Sequence, residues 1–173
     1  MRLFRAIIKR AKEKNIELIL FISPLHAWAL ESFEFFGYWE KFEQWKRDLV
    51  KEVEPFNKIS PQKKKTILWD FNYYNAYTTE SVPPAGDSKT IMKWHIDPGH
   101  YSDTLGDIIL DTILLKKNHN AGILITSQNI EEHIKSIRKT KESFQTQNDF
   151  FIKKPQKKND SVITQKPGGV NCN

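Results

Sequence analysis

Asp97 and His100 are the residues of this chain whose types and spacing best suit catalysis. They stand three apart, and the Pro98-Gly99 between them makes a turn rather than a helix or a strand. Such a turn lets the carboxylate loop back toward the imidazole. A general base needs that arrangement: a ring nitrogen to take the proton and an acid group to hold the ring's tautomer and orientation. The alternative is a plain turn with a structural Asp and a solvated His. His95 extends the pair to His-x-Asp-x-x-His, which reads as a metal set, although no fourth ligand suggests itself and Pro98-Gly99 suits a turn better than a rigid ligand frame. Gly86-Asp87-Ser88 offers a hydroxyl. It follows Val82-Pro83-Pro84-Ala85 in a loop, without the strand before and the helix after that hold a nucleophile exposed and aimed. Ser88 therefore stands as a nucleophile candidate against the simpler reading of a turn.

The elements that must position these residues alternate between helix and strand. Residues 2–14 read as an amphipathic helix with Leu3, Phe4, Ile7, Ile8 and Ala11 on one stripe, stopping at Asn15. The nearly continuous apolar run Ile16–Ile22 suits a strand buried on both faces of a parallel sheet. Ser23-Pro24 reads as N-cap and first residue of a helix ending at Gly37. A further helix spans Trp39 to Val53, with Trp39, Phe42, Trp45, Leu49 and Val53 on its apolar side, and is expected to stop at Pro55. Thr66–Phe71 is the second strand, and a long irregular segment, 72–93, separates it from the Asp97/His100 turn. Ser102 can cap the next helix, along which Leu105, Ile108, Ile109, Thr112 and Ile113 repeat at helical spacing. Gly122–Ile125 is a short apolar piece, and a last helix carries Ile130, Ile134, Ile137 and Phe144. His119 and His133 read as loop and helix-surface residues.

This alternation predicts an α/β layered fold with a short parallel sheet over residues 1–117, a connection and C-terminal helix over 118–148, and a disordered basic tail over 149–173. Ligands in such sheets sit beyond the carboxyl ends of the strands. His26 follows the first strand, and Asp70 and Asn72 end the second, so these three are pocket candidates beside His100. For His26 a capping or core role is the alternative; for Asp70 it is capping of the next turn.

Composition limits the function classes. The 173 residues carry a net charge of +6, but from Phe150 onward five lysines stand against one aspartate, so +4 belongs to the tail and only +2 to the rest. The charge thus argues weakly for nucleic acid, and none is expected as a partner. One cysteine, Cys172, leaves no internal disulfide framework and no cysteine-based zinc site. Basic residues, then Ile16–Leu25, then Ala27-Trp28-Ala29 imitate an export signal, but Glu13 and Glu17 border the apolar run and Pro24 and His26 interrupt it. No run is long enough to span a bilayer. The chain as given is expected in the cytoplasm, whereas a longer parent protein could be exported or membrane-associated. No cofactor and no resident metal are expected.

The Asp-x-x-His block at the start of the last main helix resembles the final block of the SGNH (GDSL-like) hydrolases. More closely, Phe21-Ile-Ser-Pro-Leu-His-Ala-Trp28, Leu68-Trp-Asp-Phe71, Thr78-Thr-Glu-Ser-Val-Pro-Pro84 and Asp97-Pro-Gly-His-Tyr-Ser102 look like the C-terminal half of a group of bacterial proteins of that type. The resemblance runs from roughly Leu3 to Leu115. It implies a partial flavodoxin-like three-layer fold and hydrolysis or transfer of acyl groups on a small ester or acylated substrate, with His100 as base and Asp97 as its orienting partner. In that family the nucleophilic Ser follows the first strand, and Gly and Asn from later loops complete the oxyanion hole. This chain starts in a helix and offers two strands that resemble the last two of five. It is therefore expected to be a truncated half, weakly active or inactive alone, with an open sheet edge that a partner chain could complete. Two other readings stand beside it: a non-catalytic α/β domain binding a ligand or partner at the same edge, and a metal-dependent hydrolase built on His95, Asp97 and His100.

Overall fold

The structure, a computed structural model, describes residues 1–58, 65–87 and 89–148. The helices are α1 (Arg2–Glu13), α2 (Ala27–Phe35), α3 (Trp39–Lys58), α4 (Asp103–Leu114) and α5 (Ile130–Gln147). The strands are β1 (Ile19–Ile22), β2 (Ile67–Asp70), β3 (His95–Asp97), β4 (His100–Tyr101) and β5 (Ile123–Leu124). The two apolar runs pair as parallel neighbours, Ile19 opposite Ile67 through Ile22 opposite Asp70. The sheet is not purely parallel, however: β5 joins the other edge of β2 in antiparallel register, giving the order β1-β2-β5. Gly122 makes that approach sterically feasible, since a Cβ there would meet the Phe71 ring at 2.4 Å. β3 and β4 form a separate antiparallel hairpin around Pro98-Gly99.

Alternation along β2 assigns the layers. Leu68 packs with Ile22, Leu49, Val50, Val53, Ile130 and Ile134, which places α3 and α5 on one face. Phe71 and Trp69 pack instead with Leu105 and Ile109 of α4 on the other. Ile8 brings α1 into the first of these clusters, although Leu3 and Ile7 of its apolar stripe remain exposed. A further cluster joins Ala27 and Leu30 of α2 to Trp39, Phe42, Tyr74, Ile137 and Phe144. The C-terminal helix therefore shares the cores of the preceding elements.

Two helix boundaries differ from the sequence expectation. Ser23-Pro24 does not open α2. Its N-cap is His26, whose ring Nδ1 accepts the Trp28 N–H at 3.3 Å. The chain stays extended until then because Leu25 N–H donates to Asn72 Oδ1 at 3.3 Å and His26 N–H to the Pro98 carbonyl at 3.0 Å. Helix α2 ends as expected at Gly37, whose φ of +72° suits a residue without Cβ. Pro55 does not stop α3, which runs to Lys58. Tertiary contacts hold the last turn: Phe56 packs on the core, and Asn57 pairs with the Thr66 backbone through both its amide oxygen and nitrogen at 2.8 Å. Residues 59–64, Ser88 and the tail 149–173 lie outside the described residues, and with them the expectation of disorder for the tail.

Candidate active site

The local order around His100 is written in neighbouring residues. Asp97 Oδ1 accepts the backbone N–H groups of Gly99 at 2.7 Å and His100 at 2.9 Å, closing the turn. The same carboxylate receives His100 Nδ1 at 2.8 Å on Oδ2 and 2.9 Å on Oδ1. The Gly99 N–H and the imidazole hold the Asp97 carboxyl below its usual range, so it is ionised at neutral pH and can only accept. His100 Nδ1 therefore donates to the carboxylate, and Nε2 is the ring nitrogen left to exchange a proton with a substrate. Both side chains are largely exposed, His100 at 77% and Asp97 at 50%. Two residues later Ser102 caps α4, its Oγ accepting the Leu105 N–H at 3.4 Å while donating to the Lys93 carbonyl at 2.7 Å. Asp97 and His100 thus form the expected pair just outside a helix N-terminus.

The other expected site residues are placed elsewhere. Asp70 is fully buried and faces α3, not an open strand end. Its carboxylate is ion-paired with the equally buried Lys46, accepts the Asn72 N–H at 2.8 Å and lies 2.8 Å from His133 Nε2. Burial alone would push this carboxyl up; the Lys46 charge and the His133 hydrogen bond outweigh it and hold it down. Asn72, also buried, ties the segment after β1 to that after β2 through the Leu25 N–H on its Oδ1, and its carbonyl accepts Lys46 Nζ at 2.7 Å. Asn72 lines the opening along β1, and neither residue is hydrogen-bonded to His100. His133 is no surface residue but the buried partner of Asp70. Periodicity carried that signal: His133 lies on the Ile130, Ile134, Ile137 stripe, and Lys46 on that of Phe42, Leu49, Val50 and Val53. Trp45, by contrast, is 40% exposed.

His26 and His95 meet beneath the hairpin, ring centroids 5.1 Å apart and edge to face. His26 Nδ1 is occupied as the α2 cap, so Nε2–H donates to the Glu80 carbonyl at 2.9 Å. Burial keeps His26 titrating below its ordinary value, a smaller effect from His95 adding to it. His95 donates Nδ1–H to Glu80 Oε1 at 3.0 Å, while Asp97 and His100 face solvent. His95, Asp97 and His100 therefore do not converge as a metal set, and among the described residues no cluster of such side chains does. Glu80 went unrecognised in the sequence, where one carboxylate inside a long irregular segment carries no spacing signal. It borders a cavity of about 800 Å³ lined by Trp28, Tyr74, Val82, Pro84 and Phe144.

A second opening, about 830 Å³, runs along β1 and is lined by Phe4, Phe21, Tyr38, Phe42 and Trp45. Among the described residues the outer edge of β1 has no partner strand. No described helix is long and apolar enough to cross a membrane. Comparison with known proteins gives no match to a family model, a curated protein or a solved structure.

Proposed function

We propose that this chain supplies the base half of an acyl-transfer site of SGNH type, on a partial flavodoxin-like frame, acting on a small ester or acylated substrate. The observation that carries the reading is the 2.8 Å contact from His100 Nδ1 to Asp97, which orients the exposed ring and leaves Nε2 as the nitrogen free to act on a substrate. Parallel β1 and β2 with helices on both faces of the sheet support the frame. In the reaction, His100 Nε2 takes the proton from a hydroxyl as its oxygen attacks the ester carbonyl. Asp97 stabilises the imidazolium so formed, and the same proton then passes to the departing alkoxide. Efficient turnover also needs a serine beside the imidazole and donors aimed at the oxyanion. Among the described residues no serine is hydrogen-bonded to His100. A base that activates water alone contributes about 10²–10⁴-fold.

Hydrolysis of p-nitrophenyl acetate tests this. The expected result is slow turnover lost in His100→Ala, reduced in Asp97→Asn and unchanged in Ser88→Ala. Turnover indifferent to His100→Ala would remove the base. Robust turnover abolished by Ser88→Ala would make the Gly86-Asp87-Ser88 loop the nucleophile and overturn the half-site reading.

A second reading, a partner-binding domain, is favoured by β1. Parallel pairing turns the peptide groups of Leu20 and Ile22 toward β2 and those of Ile19 and Phe21 outward, where Phe21 stays 43% exposed. The occupant of that edge would be an apolar strand of a partner chain. His100-dependent hydrolysis of p-nitrophenyl acetate separates the readings, because a domain that only binds a partner strand gives none.

A further inference from the structure

We infer that Glu80 is a positioning residue for the Asp97–His100 pair, an inference that rests on the reading of His100 as a base. The pair is closed by its own turn, yet nothing within that turn fixes where it points. Two anchors do so. At the foot of the hairpin, Glu80 Oε2 accepts the Lys93 N–H at 2.9 Å, and Oε1 accepts the Trp94 N–H at 2.9 Å and His95 Nδ1–H at 3.0 Å. The carbonyls of the same two residues are held from the other side by Ser102, through Oγ to Lys93 at 2.7 Å and N–H to Trp94 at 2.8 Å. At the tip, the Pro98 carbonyl accepts the His26 N–H at 3.0 Å. Glu80 reaches both anchors, because its own carbonyl receives His26 Nε2 at 2.9 Å and the His95 ring it holds packs edge-on against His26.

A carboxylate is the group this site calls for. Three N–H donors converge on it, and two oxygens with about four acceptor positions satisfy them all, whereas an amide offers one oxygen. In Glu80→Gln the oxygen can keep the Lys93 and Trp94 N–H groups, which turns the amide NH₂ toward His95 Nδ1. His95 must then accept at Nδ1 and carry its proton on Nε2, an atom that is buried without a hydrogen-bond partner among the described residues. The substitution therefore preserves the backbone clamp and leaves a mark on the ring.

Amide exchange and histidine-ring ¹⁵N spectra of the full chain test the inference. The informative amide is that of His26, which the Glu80 side chain does not touch. In Glu80→Ala it should exchange at least about tenfold faster, with the amides of β1 and β2 unchanged. Glu80→Gln should bring it back to within about threefold of wild type and move His95 from the Nδ1–H to the Nε2–H spectrum. Unaltered His26 protection in Glu80→Ala would overturn the inference, as would parallel loosening of the sheet, which marks a general loss of stability. If Glu80→Ala does not fold, the ring spectrum of Glu80→Gln decides, and an unchanged Nδ1–H pattern overturns the clamp. Hydrolysis of p-nitrophenyl acetate separates the two readings: absence of His100-dependent turnover in wild type counts against the base, while the exchange and ring results still judge Glu80.

Discussion

Lys46→Met asks whether Asp70 belongs to the site or to the core. Both side chains are fully buried, and Lys46 also lies 4.7 Å from the Phe42 ring centroid. Methionine keeps most of the length and the apolar contacts but removes the charge, leaving the Asp70 carboxylate with His133 and the Asn72 N–H as partners. Removing one partner of a buried pair costs about 3–5 kcal/mol, because the remaining charge stays desolvated. For a chain of this size, at about 2–4 °C per kcal/mol, the thermal midpoint should fall by roughly 6–20 °C. Asp70 titrates below its usual value in the folded state, so its contribution is present above the unfolded value and is lost as pH falls through the folded one. The gap between wild type and variant should therefore narrow as pH falls below about 4, where the unfolded chain takes up a proton that the folded wild-type Asp70 does not. Lys46→Met/Asp70→Asn, neutral and still able to accept the Asn72 N–H, should recover part of the loss. Circular dichroism melts and urea titrations read the stability; p-nitrophenyl acetate hydrolysis well below the midpoint reads the activity. A Lys46→Met protein within about 1 kcal/mol of wild type would refute the reasoning. So would one that keeps its stability and loses its turnover, since Asp70 would then belong to the active site after all.

Two other predictions concern the scaffold. His26 titrates below its ordinary value when folded, so acidification protonates the unfolded chain first. Stability should fall as pH drops below about 6.5, with a slope of up to about 1.4 kcal/mol per unit until the folded value is passed, and His26→Asn, which keeps a capping side chain, should flatten that slope in urea titrations. Gly122→Ala drives a methyl into the Phe71 ring and should cost about 1–3 kcal/mol, read as a lower thermal midpoint; a neutral result would mean that β5 does not lie against Phe71.

The amino-acid sequence by itself determined the features carried by a continuous apolar run or by partners a few residues apart. The apolar runs ending at Ile22 and Phe71 become neighbouring parallel strands. Ser102 caps α4, Gly37 follows the end of α2, and the Asp97-Pro-Gly-His100 turn brings its carboxylate to its imidazole across three residues. Covalent spacing leaves such groups little choice of partner. Only the tertiary structure decided the fate of the other polar residues. Asp70 meets Lys46 across 24 positions and His133 across 63; His26 meets Glu80 across 54. Each was legible as polar and near a strand end or on a helix, which says that it must be hydrogen-bonded if buried, but not by which group. The antiparallel approach of β5 was equally hidden, because Ile123-Leu124 is too short to show a period and its place depends on Gly122 passing the Phe71 ring. Burial is a property of the assembled layers, and a local pattern carries it only where the apolar period is long enough to name the inward face.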